Sequence, residues 1–92
     1  MSAENTLKLP EEISIANVGD WQDKLAAALQ DASSLTLDAA ELSRVDTAGV
    51  QLLAVLFKQA QSSGVSIGWS ASSATLETTA SQLGLKSELL LN

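Results

Sequence analysis

Between Ser34 and Ser70 the spacing of apolar residues changes period twice. Ser34-Leu35-Thr36-Leu37-Asp38 alternates apolar with polar, the pattern of a half-buried strand. From Thr47 to Gly64 the apolar residues return at helical spacing. On a wheel of about 100° per residue, Val50, Leu53, Leu56, Phe57 and Ala60 cluster, with Gln51, Lys58 and Ser62 opposite. Val65-Ser66-Ile67-Gly68-Trp69-Ser70 then reverts to a period of two. A strand, a helix and a strand in that order imply parallel neighbours joined by a right-handed crossover. The chain is therefore constrained to an α/β fold.

The flanking segments extend the same alternation. Thr6-Leu7-Lys8-Leu9 and Ile13-Ser14-Ile15 read as two short strands, with Pro10-Glu11-Glu12 turning between them. Asn17 is placed to cap a helix running to about Asp31, with Asp20 and Asp23 in its first turns, where the helix dipole favours negative charge. Trp21, Leu25, Ala28, Leu29 and Ala32 form its apolar stripe. Leu42 to Val45 leads into the second helix, and Gly64 occupies the usual place of a terminating glycine. A last helix spans about Ala74 to Leu83, capped by Ser72 or Ser73 and stopped at Gly84, before Leu85, Leu89, Leu90 and Leu91 close the chain.

The order is β-β-α-β-α-β-α. One strand face is apolar and the other is reduced to Ser and Gly. A single α/β domain over residues 1–92 is predicted, a mixed sheet of four to five strands with helices mainly on one face. Leu25, Leu29, Leu37, Leu53, Phe57 and Ile67 are the expected core. A chain of this length buries only about 60–65% of the surface its unfolded form exposes, so the core has little to spare.

Composition narrows function. There is no cysteine and no histidine. Disulfides, thiolate metal sites and Cys catalysis are excluded, together with the commonest general base and metal ligand. The formal net charge is −6, and Arg44 is the one arginine. Phosphate backbones and anionic lipid need clustered cations, so neither nucleic acid nor a membrane surface is an expected partner. The opening MSAENTLKL lacks a basic and then apolar leader. The longest apolar run, Leu52 to Phe57, has six residues, against the about 20 that span a bilayer. A soluble, cytoplasmic protein is the expectation.

The segment LTLDAAELSRVDTAGVQLL, from Leu35 to Leu53, carries the functional information. Its strand ends at Asp38, a turn follows, and Asp46-Thr47-Ala48-Gly49 opens the helix. Thr47 lies at the positive end of the helix dipole, and the small Ala48 and Gly49 leave neighbouring backbone donors open. Such a place suits an anion, including a phosphate on Thr47 itself. An Asp or Thr before a helix also serves as an ordinary N-cap, and local spacing leaves both readings open. Asp38 and Asp46 are two hard oxygen donors of the kind that hold Mg²⁺, but acids in a solvated loop are the commoner outcome. No nucleophile–base pair accompanies them, and no metal, cofactor or enzymatic activity is expected.

The same residues resemble the signature of STAS domains, the sulfate-transporter and anti-sigma-antagonist family. That signature is an apolar strand ending in Asp, a Leu-Ser turn, then an apolar residue, Asp-Ser/Thr-Ser/Thr/Ala-Gly and an apolar helix. Asp38, Leu42, Ser43, Val45, Asp46, Thr47, Gly49 and Leu53 fill those places, and Ser81-Gln82-Leu83-Gly84-Leu85 is similar to the closing segment. The resemblance implies a non-enzymatic signalling module that binds a protein partner, a GHKL-type switch kinase or a chemotaxis or signalling protein. It implies that Thr47 is the position phosphorylated by such kinases, with Asp46 and Asp38 as the acidic residues before it and at the strand end. Asp38, Asp46, Thr47, Ala48, Gly49, Gln51 and Val55 are the expected partner-binding residues. Val55 falls in the otherwise polar arc of the helix. The acceptor place holds Thr47, and Ala48 stands where many members have a second Ser; a Thr there is found in some phosphorylated members and is also similar to the STAS subunit of phospholipid-trafficking ABC transporters, an unmodified docking subunit on its ATPase. A monomer or weak dimer is expected in either case.

Overall fold

The computed structural model describes residues 4–30 and 32–91. The elements follow in the order β1 (Glu4–Lys8), β2 (Glu12–Ile13), α1 (Val18–Gln30), β3 (Ser34–Asp38), β4 (Arg44–Val45), α2 (Thr47–Ser62), β5 (Ser66–Ala71) and α3 (Ala74–Gln82). The expected end of α1 at Asp31 lies outside the described residues.

All five strands pair in parallel, in two pieces. β1, β3 and β5 form a three-stranded sheet with β3 central, and β2 and β4 form a two-stranded one. This corrects the expected mixed sheet and the turn around Pro10. Beyond Lys8 the chain does not fold back. The Leu9 N–H donates to the Asp38 carbonyl at 2.8 Å, Pro10 has no N–H to give, and the Glu11 carbonyl accepts from the Ser43 and Arg44 N–H groups. β1 and β2 thus run on alongside β3 and β4, each pair interrupted at the same level. β4 itself, within the segment read only as an approach to α2, is the missed strand. Two residues are too few to show a period, and tertiary pairing decides them.

Leu35 and Leu37 of β3 are buried, while Ser34, Thr36 and Asp38 between them are not. The three helices cover the Leu35/Leu37 face. Leu25 and Leu29 from α1, Leu53 and Phe57 from α2, and Leu76 and Ala80 from α3 join those leucines in one core. Phe57 stacks on Trp69 of β5 with ring centroids 5.4 Å apart. Among the described residues, Thr6, Lys8, Thr36, Gly68 and Ser70 on the opposite face are not buried and take no part in that core. Of the expected core, Ile67 alone is only partly buried, because β5 is an edge strand.

Both terminating glycines act as such. Gly64 and Gly84 have φ of +75° and +71°. In each case the following residue donates back to close the helix, Val65 to the Ala60 carbonyl and Leu85 to that of Ala80, both at 2.9 Å. Ser73, rather than Ser72, caps α3, accepting from the Leu76 N–H at 3.1 Å. The same closing pattern recurs at the chain end, where Leu91 donates to the Lys86 carbonyl. There Leu90, not a glycine, takes the left-handed conformation at φ 57°. Burial of Leu89 and Leu91 on either side, and a 2.7 Å bond from the Trp69 indole N–H to the Leu89 carbonyl, hold it there.

Leu53 is wholly buried at the centre of α2. Leu53→Ala is expected to cost about 2–5 kcal/mol in a denaturant melt. A loss below about 1 kcal/mol would contradict this core.

Candidate functional site

Gly49 shows why α2 begins where it does. A Cβ built on it would lie 2.4 Å from the Ile13 carbonyl oxygen and 2.8 Å from Val45 Cγ2. The first turn of α2 therefore rests directly on the backbone of β2, and only glycine permits it. The expectation that Gly49 leaves room for a partner is corrected. Gly49 is buried, and what it admits is the chain's own β2.

Asp46 is the N-cap of α2, with extended backbone at φ −105° and ψ −174°. Its Oδ1 accepts from the Gly49 N–H at 2.9 Å. Its Oδ2 accepts from the Ile15 N–H, also at 2.9 Å, 31 residues earlier in the chain. These two backbone donors, Ile15 first, hold the Asp46 carboxyl below the usual carboxylate range. Both carboxylate oxygens accept from the chain's own backbone. Asp38 is separately employed at the end of β3, its Oδ1 accepting from the Ala40 N–H at 2.9 Å. It neighbours Lys8 in register, and the Lys8 ammonium pairs with Glu41 at 2.7 Å on the surface.

Thr47, the first residue of α2, is exposed. One of the donors expected to lie open beside it, the Gly49 N–H, is already taken by Asp46. Ala48 is half-buried and Gln51 is exposed. Val55, 52% exposed, stands further along the same outward face. Between α1 and α2 these residues meet Val18, Gln22 and Leu52 around a shallow groove of about 220 Å³ with no charged lining residue. Ala48, Gln51 and Val55 thus share one surface, Thr47 opens the helix that carries it, Asp46 and Gly49 underpin it, and Asp38 belongs to the sheet end.

Ile15, expected in a strand, lies instead in a turn, and its backbone N–H reaches Asp46. It is 75% exposed, the most exposed large apolar side chain among the described residues. β2 stops at Ile13 because a turn takes over. The Ser14 N–H donates to Asn17 Oδ1 at 2.8 Å, Asn17 Nδ2 donates to the Glu12 carbonyl at 2.8 Å, and the Asn17 N–H donates to the Ser14 carbonyl at 3.0 Å. Asn17 precedes α1 as expected, and its carbonyl accepts from the Trp21 N–H. Its side chain, however, reaches back into this turn instead of capping the helix. The signal available in the sequence was Ser14 and Asn17 three apart, both turn formers, astride an isoleucine.

Two outcomes follow. Gly49→Ala is expected to destabilise by about 1–3 kcal/mol, since a backbone oxygen cannot swing aside. A neutral Gly49→Ala in a thermal melt would refute the contact. For Asp46, a folded-state pKa below the ordinary value means that its stabilisation is complete above the unfolded carboxylate range. It is lost as pH falls from there through the folded pKa. The stability gap between wild type and Asp46→Ala, near 0.5–2 kcal/mol (about 1 for a typical N-cap) at neutral pH, should narrow only in that acid window. A gap that is flat down to the acid transition would contradict the assignment.

With the geometry in hand, comparison places the chain among known proteins. No curated protein sequence matches it significantly. The solved structure of the anti-sigma factor antagonist SpoIIAA in its unphosphorylated form is similar over 96% of this chain and 79% of that one. The TM-score is 0.75 and the sequence identity 18%, a likeness of fold. Among the described residues, no helix is long and apolar enough to cross a membrane. The family model described as "Mlab, STAS domain" matches residues 1–92, and the chain belongs to that STAS family.

Proposed function

We propose that this STAS domain is a non-enzymatic signalling module of the anti-sigma-antagonist type. It acts in the cytoplasm by docking a protein partner on the surface around Thr47. The observation that carries the reading is the placement of Thr47, exposed at the start of α2 beside an uncharged groove lined by Ala48, Gln51 and Val55. The fold likeness to an anti-sigma factor antagonist supports it. The partner class is a GHKL-type switch kinase or another signalling protein. The kinase would supply ATP and phosphorylate Thr47. The domain itself is a monomer or weak dimer, needs no cofactor, and at a net charge of −6 has no affinity for nucleic acid.

Phosphorylation at Thr47 adds a charge of about −1.5 to −2 at neutral pH. The start of a helix tolerates it, because dipole and backbone donors favour an anion there. A partner that covers the uncharged groove must strip water from that dianion, so docking weakens. A second reading is a permanent docking subunit on the ATPase of an ABC transporter. The feature that favours it is Thr47 at the acceptor place, which resembles that subunit as well as the phosphorylated members.

The test is a calorimetric titration against the partner encoded beside the gene, using wild type, Thr47→Ala and Thr47→Glu. Thr47→Glu is expected to fold normally and to lose at least about tenfold in affinity, or about 1.4 kcal/mol. Thr47→Ala should bind close to wild type. Equal binding by Thr47→Glu would rule out the switch and leave the docking-subunit reading ahead.

A further inference from the structure

The two edges of the three-stranded sheet are not finished alike. β1 ends on Lys8, whose ammonium pairs with Glu41 on the surface, and Pro10 follows shortly after. Charges and prolines are the usual guards of an edge strand. β5 has neither. No charged residue lies between Lys58 and Glu77, although the chain carries a net charge of −6. The Ser66 N–H donates to the Ser33 carbonyl at 3.2 Å, so Ser66 and, by alternation, Gly68 turn their backbone groups toward β3. The N–H and C=O of Ile67 and Trp69 point the other way. Among the described residues, no strand lies beyond them.

Two further features sit along this edge. Gly68 stands mid-strand, where glycine weakens the strand and often marks the close approach of another backbone. Within one copy nothing approaches. Its backbone is not left-handed, and a Cβ built there would meet nothing within 4 Å. At the C-terminal end of β5, a hollow of about 390 Å³ is lined by Trp69, Ala71, Lys86, Leu90 and Leu91 among others. Leu90, held in the left-handed conformation, is 50% exposed there. Ile67, nearer the other end of the same strand, is only partly buried.

We propose that β5 pairs antiparallel with β5 of a second copy, about a twofold axis at Gly68, to form a weak dimer. The outward backbone groups set the register. Ile67 of each copy lies opposite Trp69 of the other, and each such pair exchanges both backbone hydrogen bonds. Gly68 faces its own counterpart across the axis, at the position where Cα atoms come within about 4.5 Å. A glycine with no role in the single copy thus gains one. Ile67 of one copy is brought to the hollow beside Trp69 and Leu90 of the other, and the twofold repeats the contact. The bulge between Trp69 and Ala71, whose partners Leu37 and Asp38 are consecutive, ends the ladder. Charge selects a second copy as the occupant. Two acidic chains repel over most of their surfaces, and the uncharged stretch around β5 lets them meet without opposing like charges. One short strand on each side is small against the roughly 1,200–2,000 Å² of a stable interface, so association is concentration-dependent.

The chain alone suffices for the test. Sedimentation equilibrium over a concentration series is run on wild type, Gly68→Glu, Gly68→Lys and an equimolar mixture of the two variants. Either side chain has open space in the single copy, so both variants keep the fold, which a thermal melt checks. Wild type is expected to dimerise as concentration rises. Each variant alone should associate at least about tenfold more weakly, because like charges then face each other on the axis. The mixture should recover association, since opposite charges meet there. By NMR, the Ile67 and Trp69 amides of wild type should exchange more slowly at high concentration, with the Gly68 amide, turned to β3, unchanged. If a variant does not fold, this amide comparison decides. A wild type that is monomeric at every concentration overturns the proposal. So does a dimer indifferent to both variants, or a mixture that associates no better than its components. A monomer whose Ile67 and Trp69 amides gain protection only when a different protein is added assigns the edge to that protein's strand and overturns the second-copy pairing.

Discussion

The junction between β2 and α2 rests on two contacts of opposite kinds. At Gly49 the helix has no side chain, and the Ile13 carbonyl takes the space. At Asp46 the helix cap has a side chain long enough to reach past its own first turn to Ile15. The first sets how closely α2 approaches the strand, and the second sets where the following turn sits. Because β2 pairs in parallel with β4, and β4 runs directly into Asp46, the small two-stranded piece is tied to α2 through both of its strands. An exposed Thr47 is the consequence. Asp46 before it is hydrogen-bonded to Ile15 and Gly49, and Thr47 itself is exposed.

Most of the architecture was legible from periodicity. α2 and β5 fall within two residues of their expected limits, and Gly64 and Gly84 end their helices as their chemistry requires. The strand pairing was not legible. Pro10 between two short apolar runs reads locally as a hairpin turn. Whether the chain turns back or runs on depends on the Asp38, Ser43 and Arg44 backbone groups, all more than 25 residues away in sequence. β4 and the limited burial of Ile67 belong to the same class, since both are set by which strand lies next to which.

The site divided along a similar line. Thr47, Ala48, Gln51 and Val55 are named by the helix pattern and the resemblance to STAS domains; all four lie on α2, and the last three line one groove. Gly49 was found for the wrong reason, since a small residue near a helix start signals close approach without saying by what. Asp46 was read as a cap or an acidic neighbour, and its bond to Ile15 has no trace in local spacing. Asp38 fits the family signature yet is spent on the turn after β3. Ile15 escaped notice because alternation with Ile13 mimics a strand, while the turn that displays it is written in Ser14 and Asn17.

The central proposal is that partners dock on the α2 surface around Thr47 and not on the open face of the sheet. Chemical-shift mapping of the isotope-labelled domain, titrated with the partner encoded beside its gene, addresses this directly. The account predicts that the largest perturbations fall on Ile15, Thr47, Ala48, Gln51 and Val55, with Thr6, Thr36 and Gly68 unchanged. Perturbations centred on those three sheet residues, with the Thr47 region silent, would contradict it.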